Sequence, residues 1–276
     1  MLTDYHVHLR PDEEDARPER YFTAANAGRY REAAEERGIA ELGVSEHVYR
    51  FRDALAVWDH PFWREWAVDD LDGYCAFVRG ETDLRLGIEA DFVPGREDRL
   101  ANLLDGRDWD YVIGSVHFVG DMAVDLPGEW DIWRRGDSAE RVWRRYFEWM
   151  AEAARSGLFD VMAHPDLVKV HGRGRPRPDG DLRRFYEPAV EAFADAGVAV
   201  EVSTAGLRKA VGELYPAREL LELVVEAGCP IALSSDAHEP AVLGFRYDDA
   251  VAALADAGVR ELCVFSRRER RLEPIG

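Results

Sequence analysis

An α/β fold built on a parallel sheet or barrel is the architecture this sequence predicts, and three observations predict it. Short apolar runs, many of them β-branched and most apolar on both faces, recur along the chain as buried parallel strands do. Amphipathic stretches separate these runs, and each ends at a glycine. Six of the eight histidines lie at or just past the C-terminal end of a predicted strand. In βα barrels that end carries the active site.

The strands are predicted at residues 2–8, 39–48, 84–92, 111–119, 159–164, 199–204, 230–235 and 261–266. The helices are predicted at 20–37, 139–156, 182–196, 217–227 and 247–257, with Gly38, Gly157, Gly197, Gly228 and Gly258 as their stop signals. Pro216 precedes the fourth of these helices, where a fixed φ favours initiation. Two stretches break the alternation. Residues 49–72 hold Trp58, Trp63 and Trp66, and residues 120–137 hold Trp130 and Trp133. Loops of that length serve as lids or binding loops, or pack their own aromatics on the surface. Residues 1–276 show no repeat and no linker, so one domain is expected.

Composition narrows the function. The 276 residues carry 54 acids against 35 bases, a net charge of −19. Such a surface repels nucleic acid and anionic membranes. No apolar run is long enough to span a bilayer, and the first ten residues, MLTDYHVHLR, lack the apolar core of a signal peptide. Three scattered cysteines, Cys75, Cys229 and Cys263, fit a reducing cytoplasm better than a disulfide framework. Two of the 35 bases are lysine, Lys169 and Lys209, and both follow predicted strands that end in candidate site segments.

The histidines and acids form an ordered set. His6 and His8 end the first strand two positions apart, so both can face one ion. Glu46 and His47 are adjacent at the end of the second, and only one of them need point into the mouth. Glu89, His117 and His164 end the third, fourth and fifth. Asp236 and His238 end the seventh and repeat the two-residue spacing. About eight imidazole and carboxylate ligands exceed one tetrahedral shell, so two or three divalent ions are expected, with zinc, iron or manganese the fitting metals.

This ordered set resembles the polymerase-and-histidinol-phosphatase (PHP) family. The resemblance covers nearly the whole chain. The longer strings DYHVHLR, LGIEADFVPG, YVIGSVHF, FDVMAHPDLVK, EVSTAGLRK, the Tyr215-Pro216 pair and SSDAHEP are similar to its monofunctional histidinol-phosphatase branch. The resemblance implies a distorted (β/α)7 TIM-like barrel with a trinuclear metal centre at the C-terminal strand ends. Carried over, His6, His8, Glu89 and Asp236 hold one ion. Glu89 bridges to a second, held by His117 and His164, and His47 and His238 hold a third. Some relatives have a further histidine soon after the first pair. Here Asp12 or Glu14 stands in for it, or phosphate and water complete the shell.

The implied reaction is hydrolysis of L-histidinol phosphate to L-histidinol and phosphate. A water bridging the ions loses its proton and attacks phosphorus in line. Lys169 and Arg208 are the expected phosphate contacts, with Lys209 turned away and Ser115 and Ser203 as further donors. Asp91, Glu213 and the tryptophan loops are candidates for the amine and imidazole pocket. His60 is expected at the surface or in a lid, and His171 off the phosphate. Rival readings are another small phosphate ester, a 3′–5′ exonuclease, and a non-catalytic metal-binding scaffold. The charge of −19 opposes the nuclease.

Overall fold

The computed structural model describes residues 1–13 and 16–276, so Glu14 lies outside the described residues. In chain order the strands are β1 (Leu2–Asp4), β2 (Ile39–His47), β3 (Arg85–Asp91), β4 (Tyr111–Ser115), β5 (Phe118–Val119), β6 (Met122–Ala123), β7 (Val161–Met162), β8 (Ala199–Ser203), β9 (Ile231–Ser234), β10 (Glu261–Ser266) and β11 (Glu269–Pro274). The α-helices are α1 (Pro18–Tyr21), α2 (Ala24–Glu36), α3 (Pro61–Trp66), α4 (Leu71–Glu81), α5 (Glu97–Leu104), α6 (Ala139–Arg155), α7 (Arg183–Ala196), α8 (Arg218–Glu226) and α9 (Tyr247–Asp256). Among the described residues seven strands pair in parallel, in the order β1-β2-β3-β4-β7-β8-β9. Helices α2, α4, α5, α6, α7 and α8 lie between these strands, α9 follows the last of them, and all bury apolar faces of the kind that cover a parallel sheet.

The sheet closes into a barrel at one end. The His8 amide donates to the Ala237 carbonyl at 2.8 Å, and the Ala237 amide donates to the His6 carbonyl at 3.3 Å. Those bonds join the segments that follow β1 and β9. Toward the other end β10 packs beside both strands. Its Cys263 and Phe265 enter a buried cluster with Tyr5, Tyr111 and Ile113, and the Phe265 amide donates to the Tyr5 hydroxyl at 3.2 Å. The pattern of strand after helix would make β10 the next parallel strand. It pairs instead with β11 as an antiparallel hairpin. Arg267 and Arg268 make its turn at positive φ, and Asp110 holds them: its Oδ1 accepts from the Arg267 amide at 3.1 Å and its carbonyl from the Arg268 amide at 2.8 Å.

The barrel interior is filled by one large side chain against absent ones. The Tyr111 hydroxyl donates to the Tyr5 carbonyl at 2.6 Å. Its ring lies where side chains of β2 and β3 would stand, and those positions are Gly43 and Gly87. A Cβ on Gly43 would come within 2.4 Å of Tyr111, and one on Gly87 within 2.2 Å. Two and four residues further along these strands come Glu89 and His47, so the filled floor lies directly beneath the site.

The five predicted helices all form, with shifted ends, and 20–37 is divided into α1 and α2. Helices α3, α4 and α5 are not foreshadowed by the apolar pattern. The first two occupy the tryptophan-rich stretch and its continuation, where caps start them: His60 Nδ1 accepts from the Phe62 amide, and Asp70 Oδ1 from the Gly73 amide at 2.6 Å. Gly73 and Gly80 inside α4 weaken its intrinsic signal. None of the described helices is long and apolar enough to cross a membrane.

Gly87→Ala is expected to lower stability by about 1–3 kcal/mol through overpacking against Tyr111. The midpoint of urea unfolding measures it; an unchanged midpoint would contradict the packing described.

Candidate metal centre

The site begins at Glu89. Its strand runs Arg-Leu-Gly-Ile-Glu-Ala-Asp, so a carboxylate follows an apolar run into the barrel mouth, where it is wholly buried. Oε2 lies 3.2 Å from His6 Nε2, 3.6 Å from His8 Nε2 and 2.5 Å from His47 Nδ1. Oε1 lies 3.3 Å from His117 Nε2 and 3.1 Å from His164 Nε2. Five imidazoles from four strand ends therefore meet one carboxylate. Asp236 Oδ1 adds a second focus, 3.7 Å from His6, 3.4 Å from His8 and 3.6 Å from His238. The structure thus brings together all eight expected ligands.

Four groups have the spacing of a metal shell: His6–His8–Asp236, His6–Glu89–His164, His47–Glu89–His117 and His8–His47–His238. Chemistry agrees with spacing. Among the described residues, His6 Nε2, His8 Nε2, His47 Nδ1, Glu89 Oε2, Asp236 Oδ1 and His238 Nε2 are buried without a hydrogen-bond partner. Buried polar atoms are costly when unsatisfied, and here six converge on one space. Imidazole with carboxylate is the donor set of zinc, iron or manganese.

The electrostatics carry the same message. Burial opposes the Glu89 charge, yet His47, His6 and His117 together hold its carboxyl well below the usual range. Burial also opposes the Asp236 charge, and His6 and His8 hold it well below. The imidazoles divide. Against burial, Glu89 and Glu201 raise His6 well above its ordinary value, and Asp91 and Glu89 raise His117 to about 10. Burial lowers His47 to about 4, and burial with the neighbouring His238 and His47 lowers His8 well below. Protons alone cannot satisfy so many facing donors, because the imidazoles that gain them repel each other. Divalent cations fit.

Buried acids orient the candidate ligands. Glu201 Oε1 lies 2.7 Å from His6 Nδ1 and accepts from the Ser234 hydroxyl at 2.5 Å, while its Oε2 accepts from the His164 amide at 2.6 Å. Asp91 Oδ1 lies 2.8 Å from His117 Nδ1. Glu46 points away from the mouth: its Oε1 accepts from the Leu9 amide at 2.6 Å and its Oε2 from Arg50 at 2.7 Å. Arg50 in turn reaches Asp12 at 2.5 Å, and Asp12 Oδ2 lies 3.4 Å from His238 Nε2. Sequence reading missed Glu201 and Arg50. A lone acid inside the apolar run Ala-Val-Glu-Val-Ser was the available signal for Glu201, since such burial needs a partner.

The backbone is turned to aim two candidate ligands. His164 has φ 24° and Asp236 φ 51°, left-handed conformations that cost non-glycine residues about 1–3 kcal/mol each. Glu201 holds the first through its amide. Arg208 holds the second, donating from Nη2 to the Ser235 and Asp236 carbonyls at 2.9 Å each.

A cavity of about 420 Å³ opens over the centre. His47, His117, His164, Asp236 and His238 form its floor. Tyr49, Phe62, Trp66 and Phe118 form an apolar wall, and Asp12, Asp125, His171, Lys209 and Tyr215 complete it. Both tryptophan-bearing stretches thus supply wall.

The cations are redistributed relative to expectation. Lys169 does not line this cavity: its Nζ lies 2.9 Å from Asp166, 3.3 Å from Glu213 and 2.8 Å from the Leu214 carbonyl. Arg208 is tied to the two carbonyls just described, and Lys209, expected to turn away, lines the cavity with His171. Of the expected hydroxyls, Ser203 accepts from the Ala205 amide at 3.2 Å, and neither it nor Ser115 lines the cavity. Asp91 is spent on His117 and Glu213 on Lys169, so neither is free to form a substrate pocket. His60 is not a surface residue: it is 4% exposed and packs against Trp58, Phe118 and Trp130.

Comparison with known proteins gives this geometry relatives. Residues 22–205 match the PHP domain. A "probable histidinol-phosphatase" of Deinococcus radiodurans is 37% identical over 252 residues, covering 89% of this chain and 91% of that protein. The histidinol-phosphatase of Bacillus subtilis is 24% identical over 239 residues, covering 79% and 89%. The crystal structure of a histidinol phosphate phosphatase from Lactococcus lactis, complexed with zinc, L-histidinol and phosphate, superposes with a TM-score of 0.70 at 20% identity and covers 98% of each chain. That likeness establishes a common fold.

Glu201→Gln is expected to weaken divalent-ion binding about 10- to 100-fold by releasing His6. Competition with a chromogenic chelator measures the change, and wild-type affinity would remove Glu201 from the support of the site.

Proposed function

The chain belongs to the PHP domain family, and from that premise we propose that it is a metal-dependent phosphomonoesterase that hydrolyses L-histidinol phosphate to L-histidinol and phosphate. One observation carries the reading: five imidazoles converge on Glu89, a second carboxylate faces two of them, and their unpartnered atoms lie under a cavity sized for a small ester. The names of the relatives supply the substrate.

Two or three divalent ions are proposed, of zinc, iron or manganese. The two oxygens of Glu89 face different histidines and divide the sites. His6, His8 and Asp236 with Oε2 would hold one ion, and His117 and His164 with Oε1 a second. His47 and His238 would hold a third, with Asp12 supplying the acid in place of a further histidine. Such ions supply Lewis acidity toward a phosphoryl oxygen and lower the pKa of water.

The chain's own groups do the rest. Glu201 and Asp91 fix His6 and His117 through Nδ1, so that Nε2 faces inward. Lys209 sets a cation on the cavity wall to attract the phosphate dianion. Arg208 keeps the Asp236 turn in place. The aromatic wall sheds water from the ester and strengthens each of these charges. An address in the cytoplasm is proposed from the three free cysteines and the biosynthetic substrate.

Phosphate release from L-histidinol phosphate, beside other monoesters and a single-stranded oligonucleotide, tests the reading. Strong preference for histidinol phosphate, lost with chelator and restored by divalent metal, is expected. Preference for another ester would replace the substrate, and cleavage of the oligonucleotide would favour a nuclease. Glu89→Gln should reduce release to background while the far-UV circular dichroism is retained. Lys209→Ala should raise KM about tenfold with a smaller change in kcat. Wild-type kinetics in either variant would overturn its assignment.

A further inference from the structure

Three carboxylates line the cavity among the described residues: Asp12, Asp125 and Asp236. Two have partners. Asp12 is held by Arg50 at 2.5 Å and faces His238, and Asp236 stands among His6, His8 and His238. Asp125 differs. It lies just past the β5–β6 hairpin, in the segment that supplies part of the wall, and its Oδ1 is buried without a hydrogen-bond partner. Among the described residues it forms no ion pair within 4.0 Å. The residue is half-buried, and a carboxylate oxygen enclosed in a mixed aromatic and aliphatic wall is costly without a donor or a cation. Nothing in the described fold uses Asp125: it caps no helix and ties down no neighbouring loop.

Its position limits what it can receive. Asp125 follows Val124, whose amide donates to the His117 carbonyl at 2.8 Å, and it lines the same cavity as His117, His164 and Lys209. A group it binds therefore lies close to the phosphoryl end of the substrate. In L-histidinol phosphate the ammonium is on the carbon adjacent to the phosphorylated carbon, whereas the imidazole extends away from it. The ammonium is thus the part of the molecule brought beside Asp125 when the phosphate sits on the floor. The apolar wall of Tyr49, Phe62, Trp66 and Phe118 is left for the ring.

We infer that Asp125 is the receptor for the primary ammonium group of the substrate, and so selects esters with a cationic nitrogen beside the phosphorylated carbon. The inference rests on the reading of the chain as a histidinol-phosphate phosphatase. Asp125 is a specificity residue and takes no part in bond cleavage. It adds a charge-assisted hydrogen bond that an amine-free ester cannot make.

The test compares L-histidinol phosphate with its deamino analogue, an imidazolylpropyl phosphate, in wild-type protein and in Asp125→Asn, both loaded with the same metal. Wild type should prefer the amine-bearing ester. In the variant that preference should collapse about 10- to 100-fold, through KM more than kcat. Asp125→Glu, which keeps the charge, should restore part of it. Binding of L-histidinol, followed by calorimetry, should weaken in parallel in Asp125→Asn. Equal losses on both esters would overturn the proposal and make Asp125 a positioning residue for Lys209 or the floor. Unchanged preference would overturn it outright. Wild-type protein that hydrolyses neither ester, or only the deamino one, would instead overturn the histidinol-phosphate reading, and the amine pocket with it.

Discussion

The structure depends on the burial of one carboxylate. Glu89 is wholly enclosed, and the imidazoles of His6, His8, His47, His117 and His164 all reach its two oxygens. A charge in that setting is tolerable only with compensating charge around it. Four strand ends must therefore bring their histidines to the point where β3 delivers Glu89. A parallel barrel provides that arrival, because its strands all end on the same side. The floor beneath is made firm by Tyr111 filling the space that Gly43 and Gly87 leave.

Around this centre several of the candidate ligands are held by groups outside the set. Glu201 illustrates the economy of the arrangement: one carboxylate touches the His6 ring, the His164 amide and the Ser234 hydroxyl. Three barrel segments are thereby fixed relative to one another. Asp4 does similar work at the seam, accepting from the Ser235 amide at 3.1 Å and its hydroxyl at 2.5 Å. Arg208 adds the clamp on the Asp236 carbonyl. The left-handed turns at His164 and Asp236 persist because these bonds over-determine them.

Charge is distributed unevenly between surface and site. The molecule carries a net −19, which disfavours an anionic substrate at long range. The remedy is local: cationic groups around the mouth and a floor able to hold divalent ions. Arginine serves where a rigid fork must grip backbone or acid, as Arg50 and Arg208 do. The two lysines have opposite fates. Lys169 is buried in a pair with Asp166, and Lys209 is exposed on the cavity wall.

Much was legible in the sequence. Alternating apolar runs and helices stopped by glycine specify a parallel α/β fold, because period and punctuation are local properties. Histidines and acids at the strand ends specify the candidate ligand set, since strand direction places every C-terminal end on one rim. Helices α3, α4 and α5 were not legible, because their signals are short or weakened by glycine. The hairpin of β10 and β11 was not either, because pairing depends on what the space between β1 and β9 will admit. The roles of the other polar groups were decided by tertiary structure alone. Sequence spacing cannot say that Glu46 turns to the Leu9 amide while His47 turns inward, that Lys169 is consumed by Asp166, or that Asp125 is left without a partner among the described residues. A side chain's role depends on which distant segment lies within hydrogen-bond reach, and chain order does not contain that distance.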